Sequence, residues 1–323
     1  VPGLGTSFGR GGATNFLEDL PNADCILIEG SNFAEAHPVG FRFVMEAKER
    51  GAKIIHVDPR FTRTSALADL HVPIRSGTDI VFLGGIISWV LENEAYFKEY
   101  VSAYTNASYI VNEQFKDAED LDGLFSGFVA GSENAEAEAG DAARYETSSW
   151  DFEYETVPVP RRKKTAKAVR RDPTLQHPRT VFQILKRHFS RYTPEMVETV
   201  CGSPRDKFIE VCKTLAHNSG RERTSAFAYA LGWTQHTIGV QFIRTASILQ
   251  LLLGNIGRPG GGIMALRGHA NIQGATDIAT LYDLLPGYLP MPSALREEQT
   301  LSEYLARHTE QTGWWANLPK YIV

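Results

Sequence analysis

Cysteine is scarce in this chain: Cys25, Cys201 and Cys212 are the three present in 323 residues. No two of them form a C-x-x-C pair, which excludes zinc-ribbon and iron–sulfur spacings within the segment. An odd count also supplies no disulfide framework. Basic charge is not in excess, with 33 Lys and Arg against 38 Asp and Glu and a net charge of -5, which argues against nucleic acid as a partner. Long apolar runs are missing too. The longest uncharged one, Ile80 to Leu91, is twelve residues broken by Gly84, Gly85 and Ser88, whereas a membrane span needs about 20; direct membrane insertion is not expected. No window reads as a P-loop, as H-E-x-x-H or as G-x-S-x-G. Gly260-Gly261-Gly262-Ile263-Met264-Ala265 matches G-x-G-x-x-A on paper, but it follows a helical pattern rather than a strand and reads as a loop. No metal-ligating cluster stands out. The chain opens on Val1 and stops soon after Trp314-Trp315, which reads as a piece of a longer polypeptide.

What is present is an ordinary globular balance, 43% hydrophobic and 22% charged, at a length that suits about two domains. Cys25-Ile26-Leu27-Ile28 fits a strand buried on both faces, with Cys25 as a small core hydrophobe. Phe41 to Arg50 carries apolar residues at helical spacing and is followed by Gly51 as a stop signal. Lys53 to Val57 is a second strand, so Cys25 to Val57 has the length of one βαβ unit. His71-Val72-Pro73 is a short third strand, and Thr78 or Asp79 caps a helix running to Glu92.

Further on, acidic residues from Glu133 to Glu155 precede the basic run Arg161-Arg162-Lys163-Lys164 with Lys167, Arg170 and Arg171. The two blocks offset each other and read as a solvated insertion. Helices are predicted over Val181–Tyr192, from Thr193-Pro194 to Val200, over Asp206–Asn218 and over Val240–Leu253, with a strand at Ser225–Ala230. The fold class is therefore α/β: a mostly parallel, doubly wound sheet with helices on both faces and a helical insertion.

Ligands of open α/β sheets sit beyond the carboxyl ends of the strands. Three polar loops fall there: Gly30-Ser31-Asn32 through Glu35 and His37, Asp58-Pro59-Arg60 through Thr62, and Arg75-Ser76-Gly77-Thr78-Asp79. Carboxylates for ribose hydroxyls or guanine N–H groups and guanidinium groups for phosphates suit a nucleotide; the same residues also serve ordinary turns and caps. A second constellation, Arg267-Gly268-His269 with Gln273, is either a small-anion site or an exposed polar turn.

Taken together, separated stretches resemble the catalytic α subunits of molybdenum- or tungsten-dependent formate dehydrogenases, members of the bis-molybdopterin-guanine-dinucleotide (bis-MGD) oxidoreductases. They are Ser7-Phe8-Gly9-Arg10-Gly11, Gly30-Ser31-Asn32 with Ala34 to Pro38, Asp58 to Thr64 and Pro73 to Asp79. Tyr229 to His236, Leu253-Gly254-Asn255 and Leu266 to Gly268 with Asn271 to Gly274 complete the set. The resemblance spans nearly the whole chain except the charged insertion.

It implies that Gly30, Ser31, Asn32, Glu35, His37, Asp58, Pro59, Arg60, Thr62, Arg75, Gly77 and Asp79 hold the guanosine and pyrophosphate of one cofactor. By the same resemblance, Leu231, Gly232, Trp233 and Gln235 line the pterin side, and Gly268, His269 and Gln273, also cofactor contacts, neighbour Arg267. Arg267 matches the family's active-site arginine, which orients formate. Nitrate-reducing relatives carry no arginine there, and a monoanionic carboxylate calls for a guanidinium fork. The resemblance further implies electron transfer to an iron–sulfur subunit and, in some members, a membrane cytochrome subunit.

The selenocysteine or cysteine metal ligand, the four-cysteine [4Fe–4S] motif and the C-terminal domains of that family are not in this segment, so the fragment alone is expected to be inactive. A reading frame interrupted at a selenocysteine codon would account for the start at Val1; upstream DNA lacking an in-frame stop-like codon followed by His-Gly-Pro would rule this out. Residues 1–265 are expected as one domain holding one MGD, with the insertion at about 100–220, and 266–323 as the start of a neighbouring α/β domain. The segment writes no compartment; the resemblance implies the periplasm. Two alternatives remain: another molybdopterin enzyme reducing nitrate or an S/N-oxide, which a substrate panel separates, and a non-catalytic structural relative, which metal analysis separates.

Overall fold

The computed structural model describes residues 1–131, 142–158, 165–269, 272–275 and 291–308. The strands are β1 (Cys25–Glu29), β2 (Lys53–Val57), β3 (Leu70–Val72), β4 (Phe128–Val129), β5 (Arg144–Tyr145), β6 (Tyr154–Pro158), β7 (Thr165–Val169), β8 (Ser225–Tyr229) and β9 (Gly262–Ala265). Five of them form one sheet in the order β3-β2-β1-β8-β9, every pairing parallel. The order runs outward from β1 in one direction through β2 and β3, then restarts on its other side with β8 and β9. Between β1 and β8 the winding reverses, which creates a crevice beyond their carboxyl ends.

Apolar runs explain why these strands lie in the middle. All five residues of β1 and all five of β8 are buried. Cys25 and Leu27 face a core that includes Phe82, Ile86, Phe208, Phe242 and Leu249, while Ile26 and Ile28 face Phe41, Val44 and Ala47. Side chains of a strand alternate between faces, so each face must meet its own helical layer. One layer contains the helix Pro38–Glu49, which starts with Pro at its first position, three residues before the predicted start at Phe41, and gives way to the predicted stop at Gly51, φ +98°. The other contains the helices Asp79–Glu92, Arg205–His217 and Gly239–Leu252. The glycines that interrupt the longest apolar run have a packing cause: a Cβ on Gly85 would stand 2.5 Å from Val197 Cγ2. Close helix contact therefore requires the missing side chain.

The predicted helix starts are largely in place. Thr193 accepts from Met196 N and Pro194 occupies the first helical position. Thr78, however, does not cap the helix after it with its side chain. Its hydroxyl donates to Arg75 O at 2.8 Å instead. A second departure is β9. The glycine-rich run reads as loop, yet Gly262–Ala265 is a fully buried edge strand paired to β8. Gln250 secures it, with Nε2 donating to Ser225 O at 3.0 Å and to Gly262 O at 2.7 Å. A side chain from a helix thus supplies the tie that local sequence does not advertise.

In the charged insertion, β6 and β7 pair antiparallel and β4 pairs with β5. The basic residues 161–164 and the acidic residues 133–141 lie outside the described residues. The chain divides into two compact units, Val1–Leu266 and Arg267–Val323. The second contains the short helix Ile272–Ala275 and the helix Leu301–His308. No helix among the described residues is long and apolar enough to cross a membrane.

Candidate functional site

At the carboxyl end of the sheet, a pocket of about 360 Å³ is lined by Gly30, Ser31, Asn32, Val57, Asp58, Pro59, Arg60, Ile74, Ser76, Asp79, Gly232 and His236. That volume lies within the range of small-molecule sites, about 300–1,000 Å³. Three loops make the pocket, each following a parallel strand, and the loop after β8 closes it. Gly30 leaves β1 at φ +65°, and a Cβ there would stand 2.8 Å from Trp233 N. Gly232 N donates to Gly30 O at 3.0 Å. The two loops meet backbone to backbone at the reversal point, a contact that glycine alone allows on both sides.

His56 orients this rim from below. Its ring is fully buried, with Nε2 3.1 Å from Ser31 O and Nδ1 2.8 Å from Ser65 Oγ. Burial pushes its pKa down despite the Asp58 carboxylate, which pushes it up. A carbonyl only accepts, so the neutral ring donates from Nε2 and accepts at Nδ1. Ser65 Oγ also accepts from Thr62 N at 2.8 Å in the capping box of the helix Arg63–Leu67. Asn32 is held on both ends: Oδ1 accepts from Thr64 Oγ1 at 2.9 Å and Nδ2 donates to Glu35 Oε2 at 2.8 Å. Asp58 Oδ1 accepts from Arg60 N at 2.8 Å, a tight turn that projects the Arg60 side chain outward.

Of the residues singled out in sequence, Gly30, Ser31, Asn32, Asp58, Pro59, Arg60, Asp79 and Gly232 line this pocket together. Glu35 and Thr62 stand behind it as partners of Asn32 and Ser65. His37 flanks the helix Pro38–Glu49. Arg75 is engaged elsewhere: its Nη1 donates to Thr199 O at 2.9 Å and Val200 O at 2.7 Å, satisfying the carboxyl end of the helix Pro194–Cys201. Gly77 sits at φ +85°, where a Cβ would be 3.7 Å from His236 Nδ1. Trp233 is buried and stacks on Tyr229 with ring centroids 4.9 Å apart, whereas Leu231 and Gln235 are exposed. Arg267, Gly268, His269 and Gln273 belong to the second unit. Arg267 adopts φ +56°, a left-handed conformation uncommon for a residue with a side chain.

The lining residues that the sequence reading did not single out are Val57, Ile74, Ser76 and His236. Their loops were flagged, but which side chains turn inward depends on how the strands end. Nothing in the sequence marks Glu29, because a charged residue at a strand end looks like the start of a loop. It is 1% exposed. Burial first, then the Asp79 carboxylate, pushes its pKa far up. Asp79 itself is pushed up by burial, with Glu29, His236 and Trp233 opposing.

Three buried polar groups at this end of the sheet have no hydrogen-bond partner: Ser31 Oγ, the Glu29 carboxyl oxygens and Trp233 Nε1. Orphaned groups of this kind mark a place built for a polar ligand. With the carboxylates of Asp58 and Asp79 as acceptors and Arg60 as a cation, the donor set fits a nucleotide-bearing cofactor. Among the described residues no His, Cys, Asp and Glu cluster could hold a metal ion directly.

Residues 5–317 match the family model for molybdopterin oxidoreductase. The chain is 48% identical to the formate dehydrogenase-O major subunit of Escherichia coli, the match covering 100% of this chain and 30% of that protein. It is 46% identical to the formate dehydrogenase subunit alpha of Megalodesulfovibrio gigas, over 99% of this chain and 30% of that one. Among solved structures, acetylene hydratase from Pelobacter acetylenicus aligns over 72% of this chain and 22% of its own with a TM-score of 0.44 and 18% identity. The chain thus spans about 30% of the length of these two formate dehydrogenase subunits. With the family model covering almost the whole chain, this protein belongs to the molybdopterin oxidoreductase family.

Proposed function

We propose that this chain is the central part of a formate dehydrogenase catalytic subunit, and that the pocket at the β1–β8 reversal point binds the nucleotide end of a bis-MGD cofactor carrying molybdenum or tungsten. The observation that carries the reading is the conjunction of that pocket with the orphaned Ser31 hydroxyl in its lining and the orphaned groups of Glu29 and Trp233, each next in sequence to a lining glycine. When bound, the cofactor supplies two-electron redox chemistry at its metal, here the interconversion of formate and carbon dioxide.

The chain's own contribution is binding and orientation. Asp58 and Asp79 accept from ribose hydroxyls or a guanine edge, Arg60 offers charge to the pyrophosphate, and the paired backbones at Gly30 and Gly232 let the ligand approach closely. Gly77 is assigned with Asp79 to the nucleotide end, Leu231, Gly232, Trp233 and Gln235 to the pterin side, and Gly268, His269 and Gln273 to the neighbourhood of Arg267. Arg267 is assigned to the formate carboxylate. Its left-handed backbone is the kind of strain that persists where function fixes a side chain. In the complete enzyme, the family resemblance would assign electron exit to a [4Fe–4S] cluster and an iron–sulfur partner subunit, in some members with a membrane cytochrome subunit.

The test uses the complete enzyme. Arg267→Ala is expected to lower formate turnover by roughly 100- to 1000-fold, the cost of one lost transition-state contact, while metal and guanine nucleotide contents stay at wild-type levels. Near-wild-type turnover refutes the role of Arg267. Reduction of nitrate or an S-oxide in place of formate oxidation supports the second reading, a different reductase of the same family.

A further inference from the structure

Glu29 is the one residue of β1 that packing does not explain. It occupies the strand face of Cys25 and Leu27, which is turned to the helix Asp79–Glu92. Its polar neighbours are the carboxylates of Asp79 and Asp58 and the indole N–H of Trp233. Among the described residues no Lys or Arg pairs with it, and both of its oxygens lack a hydrogen-bond partner. Asp79 lines the pocket at the first position of its helix, as does His236, whose ring acts on its charge. Behind the pair stands Cys201, whose thiol lies 3.5 Å from Thr78 O, with the Arg75 charge beyond it.

The donor inventory decides what Glu29 must be. An indole N–H only donates, and an ionised Asp79 only accepts. A group between them satisfies both when it accepts on one oxygen and donates from the other. A carboxylic acid does this; a carboxylate sets acceptor against acceptor. We propose that Glu29 is held as the neutral acid in a row from the Trp233 N–H through Glu29 to Asp79, and that it positions Asp79 as an ionised acceptor for an N–H or O–H donor of the pocket's ligand.

The helix N-terminus favours the negative charge on Asp79, and the lack of any cation beside Glu29 favours the proton there. In the structure the indole N–H and the Glu29 oxygens are not yet joined; a donor taken up by the outer oxygen of Asp79 closes the row. The ligand class is therefore one with a donor-rich edge, such as the guanine base or a ribose hydroxyl. This last step rests on the nucleotide reading above; the protonation state of Glu29 does not.

Two measurements on the complete polypeptide separate the two. The first is the thermal midpoint between pH 5 and pH 8, with cofactor stripped and with cofactor bound. A carboxyl that keeps its proton only in the folded state costs stability as pH rises above its ordinary value of about 4.3. Glu29→Gln removes that cost, so its midpoint should exceed wild type at pH 8 and converge with it toward pH 5. Parallel pH profiles for wild type and Glu29→Gln overturn the proposal whatever the pocket binds.

The second is the GMP released per chain by acid hydrolysis after extensive dialysis at pH 7. Glu29→Gln, which keeps an acceptor and a donor, should retain wild-type content. Glu29→Leu, which keeps neither, should lose about ten-fold in retention, the scale of one buried hydrogen bond to a charged group. Equal retention by Glu29→Leu, or equal loss in Glu29→Gln and Glu29→Leu, overturns the positioning role. No GMP in any variant alongside the expected pH profiles refutes the nucleotide reading and supports the neutral acid.

Discussion

The parallel sheet and the insertion are built by opposite means. β1 and β8 are buried along their whole length, whereas β6 and β7 are mostly exposed. The sheet is held by apolar side chains with helices on both faces. The insertion relies on pairings such as Glu153 with Arg170 at 3.1 Å and with Arg179 at 2.5 Å. Buried area scales to large free energies, while exposed ion pairs are each worth under about 1 kcal/mol. The pocket belongs to the first region. A polar ligand site needs walls that do not move, and only the buried sheet supplies them.

The contrast can be broken at four places. Phe227→Ala in β8 empties a fully buried site; a loss of about 3–5 kcal/mol is expected in denaturant titration, and a loss under 1 kcal/mol would remove the sheet from its role as the stable frame. Gly30→Ala forces a side chain into a left-handed turn against Trp233 N. It should cost about 2–3 kcal/mol and also empty the pocket of nucleotide. Thr193→Ala deletes the hydroxyl that accepts from Met196 N, an expected loss of about 1 kcal/mol. Glu153→Ala should cost no more than about 1 kcal/mol and leave nucleotide content alone; a larger loss would mean that the insertion is structurally coupled to the sheet.

Acid sharpens the same contrast, because the two regions respond to pH with opposite sign. In the insertion, Asp172 is held at a pKa of about 2, first by the Thr174 hydroxyl and then by the His177, Thr174 and Gln176 N–H groups. Its stabilisation is complete above the ordinary carboxyl value and is lost as pH falls toward 2. Asp172→Asn should flatten the thermal midpoint profile between pH 4 and pH 2. Glu29, pushed up by burial, should show its effect on the alkaline side instead.

Legibility followed the same division. β1, β2 and the helices Asp79–Glu92 and Arg205–His217 were readable because each carries its own apolar period. The hairpin of β6 and β7 was not, since its residues are mostly exposed and its short apolar alternation is small beside the charges around it. β9 was hidden by glycines whose strand conformation depends on Gln250, a residue in a neighbouring helix. At the pocket, Asp58, Arg60 and Asp79 stood in recognisable strand-end loops. Arg75 stood in one as well, and its Nη1 donates to the carboxyl end of another helix, a contact across 124 residues that no local pattern shows.

The sequence by itself determined the α/β class, the strands β1, β2 and β8, the main helices and the three polar loops, because apolar period and turn chemistry are local properties of the chain. Tertiary structure decided which loop residues face one another and that Glu29 carries its carboxyl into the interior. A side chain's environment is set by what packs against it, and the groups that surround Glu29 arrive from positions 58, 79 and 233, too far along the chain for any local pattern to bring together.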